Sequence, residues 1–276
     1  MTSTLNFAKG HGTRNDFVVV LDRDGLLPLT VEQVRWLCDR RSGIGGDGLL
    51  RVVRAQHIAD WTGEPDLWFM DYRNADGSVA EMCGNGLRVF VRYLIEEGLV
   101  GSEPAIQVGT RVGLLQAWLL PDGRIRIGLG PVRVAASPGW IKVMGRRFEA
   151  WPVDAGPPHS VVILPADQEL SELQLQIPPR YEPRAHPHGT NIDFIVPHGP
   201  NELRMRVHER GVGETESCGT GAIASAAVWL ANQQRPTGRV SVQLPGGVLE
   251  VEIGPDGAFL IGPAVIVARG SVTLPV

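Results

Sequence analysis

Two cysteines sit in matching surroundings. Cys83 lies in Glu81-Met82-Cys83-Gly84-Asn85-Gly86, and Cys218 in Glu216-Ser217-Cys218-Gly219-Thr220-Gly221. Each stretch opens a segment that reads as a helix, so each sulfur is expected at a helix N-terminus. Unpaired backbone N–H groups and the positive end of the dipole favour a thiolate there and make a ready anion site. Both thiols are therefore expected to ionise below about pH 8.5. The glycines let a ligand approach the backbone closely. Two such starts facing one another would grip one carboxylate and put one sulfur on each side of the carbon that bears it. A thiolate would remove the proton from that carbon, and the opposite thiol would deliver a proton to the other face. The charge that develops would fall on the carboxylate, where the backbone donors wait for it. No imine cofactor is needed. This agrees with a shortage of lysine: of 26 basic residues only Lys9 and Lys142 could form a Schiff base.

The elements that must position these sulfurs repeat as well. The offset is 218 − 83 = 135, close to half of the 276 residues. It also sets Phe69-Met70-Asp71 against Arg204-Met205-Arg206, and Asn74 against Glu209. Each half thus reads as strand, polar loop, Glu-x-Cys-Gly-x-Gly and apolar helix. The helices are expected over residues 84–97, with Gly98 as the stop, and from Gly219 to about Asn232, the second apolar or small on nearly every side. An earlier helix follows Thr30, which pairs with Gln33 as a capping box. The first strand signal is Phe17 to Leu21. Others are Leu49 to Val53, Leu67 to Tyr72, Val112 to Leu120, Arg124 to Leu129, Trp140 to Val143, Phe148 to Val153, Val161 to Leu164, Asp193 to Val196 and Leu203 to Val207, and four short segments close the chain. The Pro-rich stretch from Pro178 to Gly189 reads as a surface excursion.

Composition bounds the partners. Apolar residues make up 43% and charged residues 20%, with a net charge of −4 and no basic stripe, which argues against a nucleic-acid binder. There is no apolar run long enough for a membrane helix and no leader layout near the start, so a cytoplasmic location is expected. Three cysteines are too few and too scattered for a disulfide framework, and Cys38 reads as a packing residue. His186-Pro187-His188 lacks nearby partners at ligand spacing and reads as a solvated loop, not a metal site.

The longer motifs carry a resemblance. Met70-Asp71-Tyr72-Arg73-Asn74-Ala75-Asp76-Gly77-Ser78, continuing through Met82-Cys83-Gly84-Asn85-Gly86-Leu87-Arg88, resembles the signature of diaminopimelate epimerases. So does His208-Glu209-Arg210-Gly211-Val212-Gly213-Glu214-Thr215 followed by Cys218-Gly219-Thr220-Gly221. Proline racemase-like enzymes of the wider superfamily usually carry His where this chain has Asn85, which favours the diaminopimelate branch. The resemblance implies interconversion of LL- and meso-diaminopimelate, on the route to lysine and peptidoglycan, without cofactor or metal. It implies that Cys83 and Cys218 are catalytic. Gly84, Asn85, Gly219 and Thr220 would hold the reacting carboxylate, and Asn15, Asn74, Asn191, Glu209 and Arg210 would bind the substrate. His159 is a further candidate, its rival reading being a loop histidine that orders a turn. The implied fold is α+β: two pseudo-symmetric domains, each a mixed sheet or barrel around a central helix, with the active site in the cleft between them. Residues 1–130 with 264–276 would form one half and 131–263 the other, in a homodimer.

One stretch departs from the family. Where the family usually reads Gly-Asn-Pro-His, this chain has Gly156-Pro157-Pro158-His159. Proline offers neither a side-chain donor nor an N–H, so a weaker grip on the distal end of the substrate is expected, with a raised KM or a broader range. Racemisation of another α-amino acid is the enzymatic alternative. A thiol–disulfide protein using the same two cysteines, which would oxidise to a reversible inactive form, and a module that only binds an amino acid are the alternatives from other classes.

Overall fold

The computed structural model describes residues 4–101 and 105–275; the domain limits expected at Met1 and Val276 lie outside them. The chain divides into two compact units, Met1–Ile127 with Gly262–Val276, and Gly128–Ile261.

In the first unit, Val265–Thr273 pairs antiparallel with Thr4–Gly12 at one edge. Neighbouring strands then run Thr4–Gly12, Asn15–Asp22, Gly48–Arg54, Trp68–Asn74, Ile106–Thr110, Gly113–Leu119 and residues 125–127, paired in turn antiparallel, parallel, antiparallel, parallel, antiparallel and antiparallel. The parallel step from Trp68–Asn74 to Ile106–Thr110 needs a crossover, and helix α2 (Gly84–Glu96) supplies it. Leu87, Val89, Phe90, Val91 and Leu94 of α2 are sealed from solvent. The helix ends where Gly98 takes a φ of 64°, which lets the N–H groups of Gly98 and Leu99 reach back to Ile95 and Leu94. Helix α1 (Val31–Cys38) makes the other parallel crossover, and both hydrogen bonds of the Thr30–Gln33 capping box are present.

The second unit repeats that order. Arg146–Asp154, Pro158–Ile163, Asn191–Gly199, Glu202–Glu209, Gly238–Leu244, Gly247–Gly254 and Gly257–Gly262 pair antiparallel, parallel, antiparallel, parallel, antiparallel and antiparallel. Helix α3 (Gly219–Asn232) crosses between the fourth and fifth of them, as α2 does in the first unit, and all but its last turn is buried nearly all round. The internal repeat of the sequence is therefore a repeat of topology, and the fold is α+β in two units.

Three local expectations differ. Thr4–Gly12 is a strand with partners on both edges, although Lys9, Gly10, His11 and Gly12 interrupt any simple alternation. The stretch from Pro178 to Gly189 is not purely a surface excursion, because Arg180–Tyr181 pairs with Lys142 and Ile141. His186 is not solvated: its ring is buried and bonds Ser160 Oγ at 2.7 Å. Among the described residues no helix is long and apolar enough to cross a membrane.

Candidate active site

Cys83 is the N-cap of α2, with extended backbone and a half-buried side chain. Its sulfur accepts the Gly86 N–H at 3.4 Å, so one orphan donor of the helix start does point at it. Cys83 Sγ also donates to Asn15 Oδ1 at 3.5 Å. That oxygen is aimed by bonds on both sides. Asn85 Nδ2 donates to it at 3.2 Å, and Asn15 Nδ2 donates to Asp47 Oδ2 at 2.7 Å. Asp47 belongs in turn to an ion cluster. Arg40 reaches both Asp47 and Asp16, and Lys9 reaches Asp16 at 2.6 Å and the carbonyl of Gly45. Burial alone would raise the Asp16 carboxyl, but Arg40 and Lys9 outweigh it and hold the group well below the usual carboxylate range. The Gly-rich stretch around Gly45 and Gly46 thus brings Asp47 and a lysine clamp up to Asn15.

Beneath Cys83 lies Arg88, whose guanidinium is fully buried. Its acceptors are neutral: Asn85 Oδ1 at 2.9 Å, Thr13 Oγ1 at 3.2 Å and the carbonyls of Gly84 and Pro263. Burial pushes it down to about 10, and a negative charge on Cys83 acts in the opposite direction. Arg88 is a residue of the site that the cysteine motif alone does not mark as functional. A charge on a helix position flanked by Leu87 and Val89 is the signal that could have found it. Asn74 sits at a turn, with Nδ2 on Ser78 Oγ at 3.0 Å.

Cys218 is the N-cap of α3 but differs from Cys83. It is buried, and the Gly221 N–H faces its sulfur without the capping hydrogen bond that Gly86 makes to Cys83. Burial, then the Glu209 and Asp193 carboxylates, push this thiol well above its ordinary value, and the Thr220 hydroxyl and the Gly221 N–H offset only part of that. The expectation that both thiols ionise below about pH 8.5 is therefore corrected for Cys218, where desolvation and two nearby carboxylates outweigh the helix dipole.

Around Cys218 a polar group is packed inside the core. Thr220 Oγ1 lies 3.6 Å from Cys218 Sγ and 2.9 Å from His159 Nε2, and His159 Nδ1 lies 2.7 Å from Asp193 Oδ2. His159 and Asp193 are both sealed from solvent. His159 stands on the strand Pro158–Ile163, so it does not order a loop turn. Asn191 Nδ2 approaches His159 Nε2 at 3.3 Å, while Asn191 Oδ1 accepts the backbone N–H of Arg210 at 2.9 Å. Arg210 Nη1 donates to His188 O at 2.8 Å. Glu209 accepts a short bond from Thr215 Oγ1. Asp193 lies in an expected strand, and the strand pattern alone does not single it out. An acid inside the apolar run Ile192-Asp193-Phe194-Ile195-Val196 was the available signal.

In the first unit the structure brings Asn15, Gly84 and Asn85 to Cys83. In the second it brings Glu209, Gly219, Thr220 and His159 to Cys218, with Asn191 behind His159, while the Arg210 guanidinium lies on the carbonyl of His188. Pro157 lies exposed in the turn before His159, next to Gly156 with a φ of 90°.

Comparison with known proteins gives one family. A sequence profile described as diaminopimelate epimerase matches residues 7–135 and 152–273. The diaminopimelate epimerase of Corynebacterium glutamicum is 43% identical over 99% of this chain and all of its own length. That of Thermobifida fusca is 46% identical over 98% of both chains. Among solved structures, a PhzF-family phenazine biosynthesis protein of Bacillus anthracis matches with a TM-score of 0.70 at 17% identity, over 98% of this chain and 99% of its own. A probable proline racemase of Agrobacterium radiobacter matches with a TM-score of 0.71 at 16% identity, over 98% and 93%. The structural likenesses speak for the fold alone.

Proposed function

The chain belongs to the diaminopimelate epimerase family, and from that premise we propose that Cys83 and Cys218 interconvert LL- and meso-diaminopimelate as an acid–base pair of thiols. The observation that carries the proposal is the duplicated helix start. Two units of the same strand order each end a crossover loop on a cysteine that caps a buried helix. Inversion at the α-carbon removes a proton from one face and returns one to the other, so it needs one base and one acid. One cysteine serves as each, and the roles exchange with the direction of reaction. The N–H groups of Gly84, Asn85, Gly219 and Thr220 receive the carboxylate as it takes on charge, which lowers the barrier to the carbanion. Arg210 pairs the distal carboxylate, since a guanidinium matches that shape with two donors. Glu209 and the amides of Asn15, Asn74 and Asn191 take the ammonium groups and the remaining oxygens.

The enzyme is an isomerase acting on a small amino-acid substrate. The family likeness also supports a cytoplasmic homodimer, without nucleic acid or membrane as a partner, and sedimentation at working concentration tests the dimer. The assay for the activity is conversion of pure LL-diaminopimelate, under reducing conditions, to a mixture with the meso form. Failure to convert it, with turnover of a different α-amino acid from a substrate panel, would replace diaminopimelate with that compound.

A further inference from the structure

The hydrogen bonds behind Cys218 have a determined direction. The backbone N–H of Arg210 can only donate, so Asn191 presents its oxygen to Arg210 and its Nδ2 to His159 Nε2. His159 Nε2 must then accept, which places the ring proton on Nδ1, facing Asp193 Oδ2. With Nε2 an acceptor, the Thr220 hydroxyl donates to it, and the Thr220 oxygen is left to accept from Cys218 S–H. One direction runs through the whole chain of groups, from sulfur to hydroxyl to imidazole to carboxylate.

We propose that Asp193 is a positioning residue for the epimerisation, acting through His159 and Thr220 to take up the proton of Cys218. This rests on the acid–base role given to Cys218 above. The step balances as two proton shifts. The S–H bond of Cys218 breaks as an O–H bond forms at Thr220 Oγ1. The original Thr220 O–H bond breaks as an N–H bond forms at His159 Nε2. Cys218 becomes a thiolate, His159 an imidazolium, and the net charge of the group is unchanged. Asp193 holds the imidazolium, and reversal restores the thiol.

Two features make this more than a satisfied core pair. Cys218 lies where burial and carboxylates oppose ionisation to solvent, so a proton acceptor inside the site is the route that remains favourable. Asp193 Oδ1 is buried with no hydrogen-bond partner, so its carboxylate has His159 as its one compensating group among the described residues. Room for that oxygen is kept by Gly221, where a Cβ would stand 2.5 Å from it. Several other ionisable groups of the strands packed on α3 are engaged elsewhere. His208 bonds Leu175 O, His186 bonds Ser160, Arg206 pairs with Glu214, Asp154 accepts the Gly156 N–H, and Arg239 pairs with Glu250 and Glu252. Glu209, bonded by Thr215, is the remaining carboxylate that faces Cys218.

The test is the pH dependence of Cys218 alkylation by iodoacetamide, resolved by peptide mapping, with Cys83 in the same molecule as reference. Two mechanisms predict opposite signs. If Asp193 were merely a neighbouring negative charge, Asp193→Asn would make Cys218 ionise more easily. The relay predicts the reverse. The Cys218 midpoint rises by a pH unit or more, kcat falls at least tenfold, and KM and the Cys83 midpoint stay within twofold and a few tenths of a unit. Thr220→Val, which keeps the shape and the backbone donor, gives the same pattern, and Thr220→Ser, which keeps the hydroxyl, restores it. A downward or absent shift at Cys218 in a folded Asp193→Asn protein overturns the proposal. Should that variant not fold, equal Cys218 midpoints in Thr220→Val and Thr220→Ser overturn it instead. The alkylation readout needs no turnover, so it stands apart from any failure of the substrate assignment.

Discussion

At the residue scale, the two sulfurs are chemically unlike although their motifs match. Cys83 receives an N–H and touches an amide, above a buried guanidinium with neutral acceptors. Cys218 is buried beside two carboxylates and a hydroxyl–imidazole chain. The six-letter repeat could not convey this, because the difference comes from residues outside it: Arg88 one turn along the helix and distant Asn15 at one sulfur, and distant His159 and Asp193 at the other. Pro157 is the residue where sequence and family part. Pro157→Asn is expected to lower KM for diaminopimelate severalfold with kcat little changed, read from initial rates, and an unchanged KM would clear Pro157 of any part in substrate binding. Asp71 offers a stability test. It is buried, and Arg51, Arg73 and Arg111 converge on it. Burial would raise its carboxyl, but the arginines prevail and hold it below its usual range. Its folded pKa is thus below the unfolded value of about 3.9, so its stabilisation is full above that pH and fades as pH falls toward the folded pKa. Asp71→Asn should cost about 3–5 kcal/mol at neutral pH by leaving Arg73 and Arg111 without a counter-charge, Arg51 keeping Asp22. The gap between the two melting temperatures should narrow on acidification below about pH 4.

At the element scale, the helices were the most legible parts. Thr30 with Gln33 marked the start of α1, Gly98 marked the stop of α2, and the limits of α3 follow its run of small and apolar residues. Local signals suffice where a cap or a stop residue satisfies the helix by itself. Strands depend on partners. Thr4–Gly12 escaped notice because Val265–Thr273, more than 250 residues on in the 276-residue chain, supplies one of its edges. The end of α3 holds a further test. It closes like α2, with the N–H groups of Gln234 and Arg235 reaching Ala231 and Leu230, but the left-handed position is occupied by exposed Gln234 at φ 57°. A side chain there costs about 1–2 kcal/mol. Gln234→Gly should therefore stabilise the protein by on the order of 1 kcal/mol in denaturant unfolding, net of the entropy that glycine loses. A loss of stability would mean that the Gln234 side chain contributes to the cap.

At the scale of the whole molecule, the offset of 135 proves to be a duplicated architecture. Seven strands in each unit follow one order and one set of directions, with the cysteine-capped helix in the same crossover. The sequence showed the duplication only at the helix starts and the strands before them. Elsewhere the halves share strand order without sharing residues, since many apolar side chains fill equivalent core positions equally well. Duplication gives the chain two helix starts, and under the function proposed above one sulfur serves as base while the other serves as acid, the roles exchanging with the direction of reaction.

That central claim is tested most directly by following α-deuterium incorporation into diaminopimelate in heavy water for the native chain, Cys83→Ser and Cys218→Ser. The account predicts incorporation with inversion by the native protein, and a loss of epimerisation of at least about a hundredfold in each variant, the span one acid–base group contributes. Epimerisation near the native rate by either serine variant would contradict it.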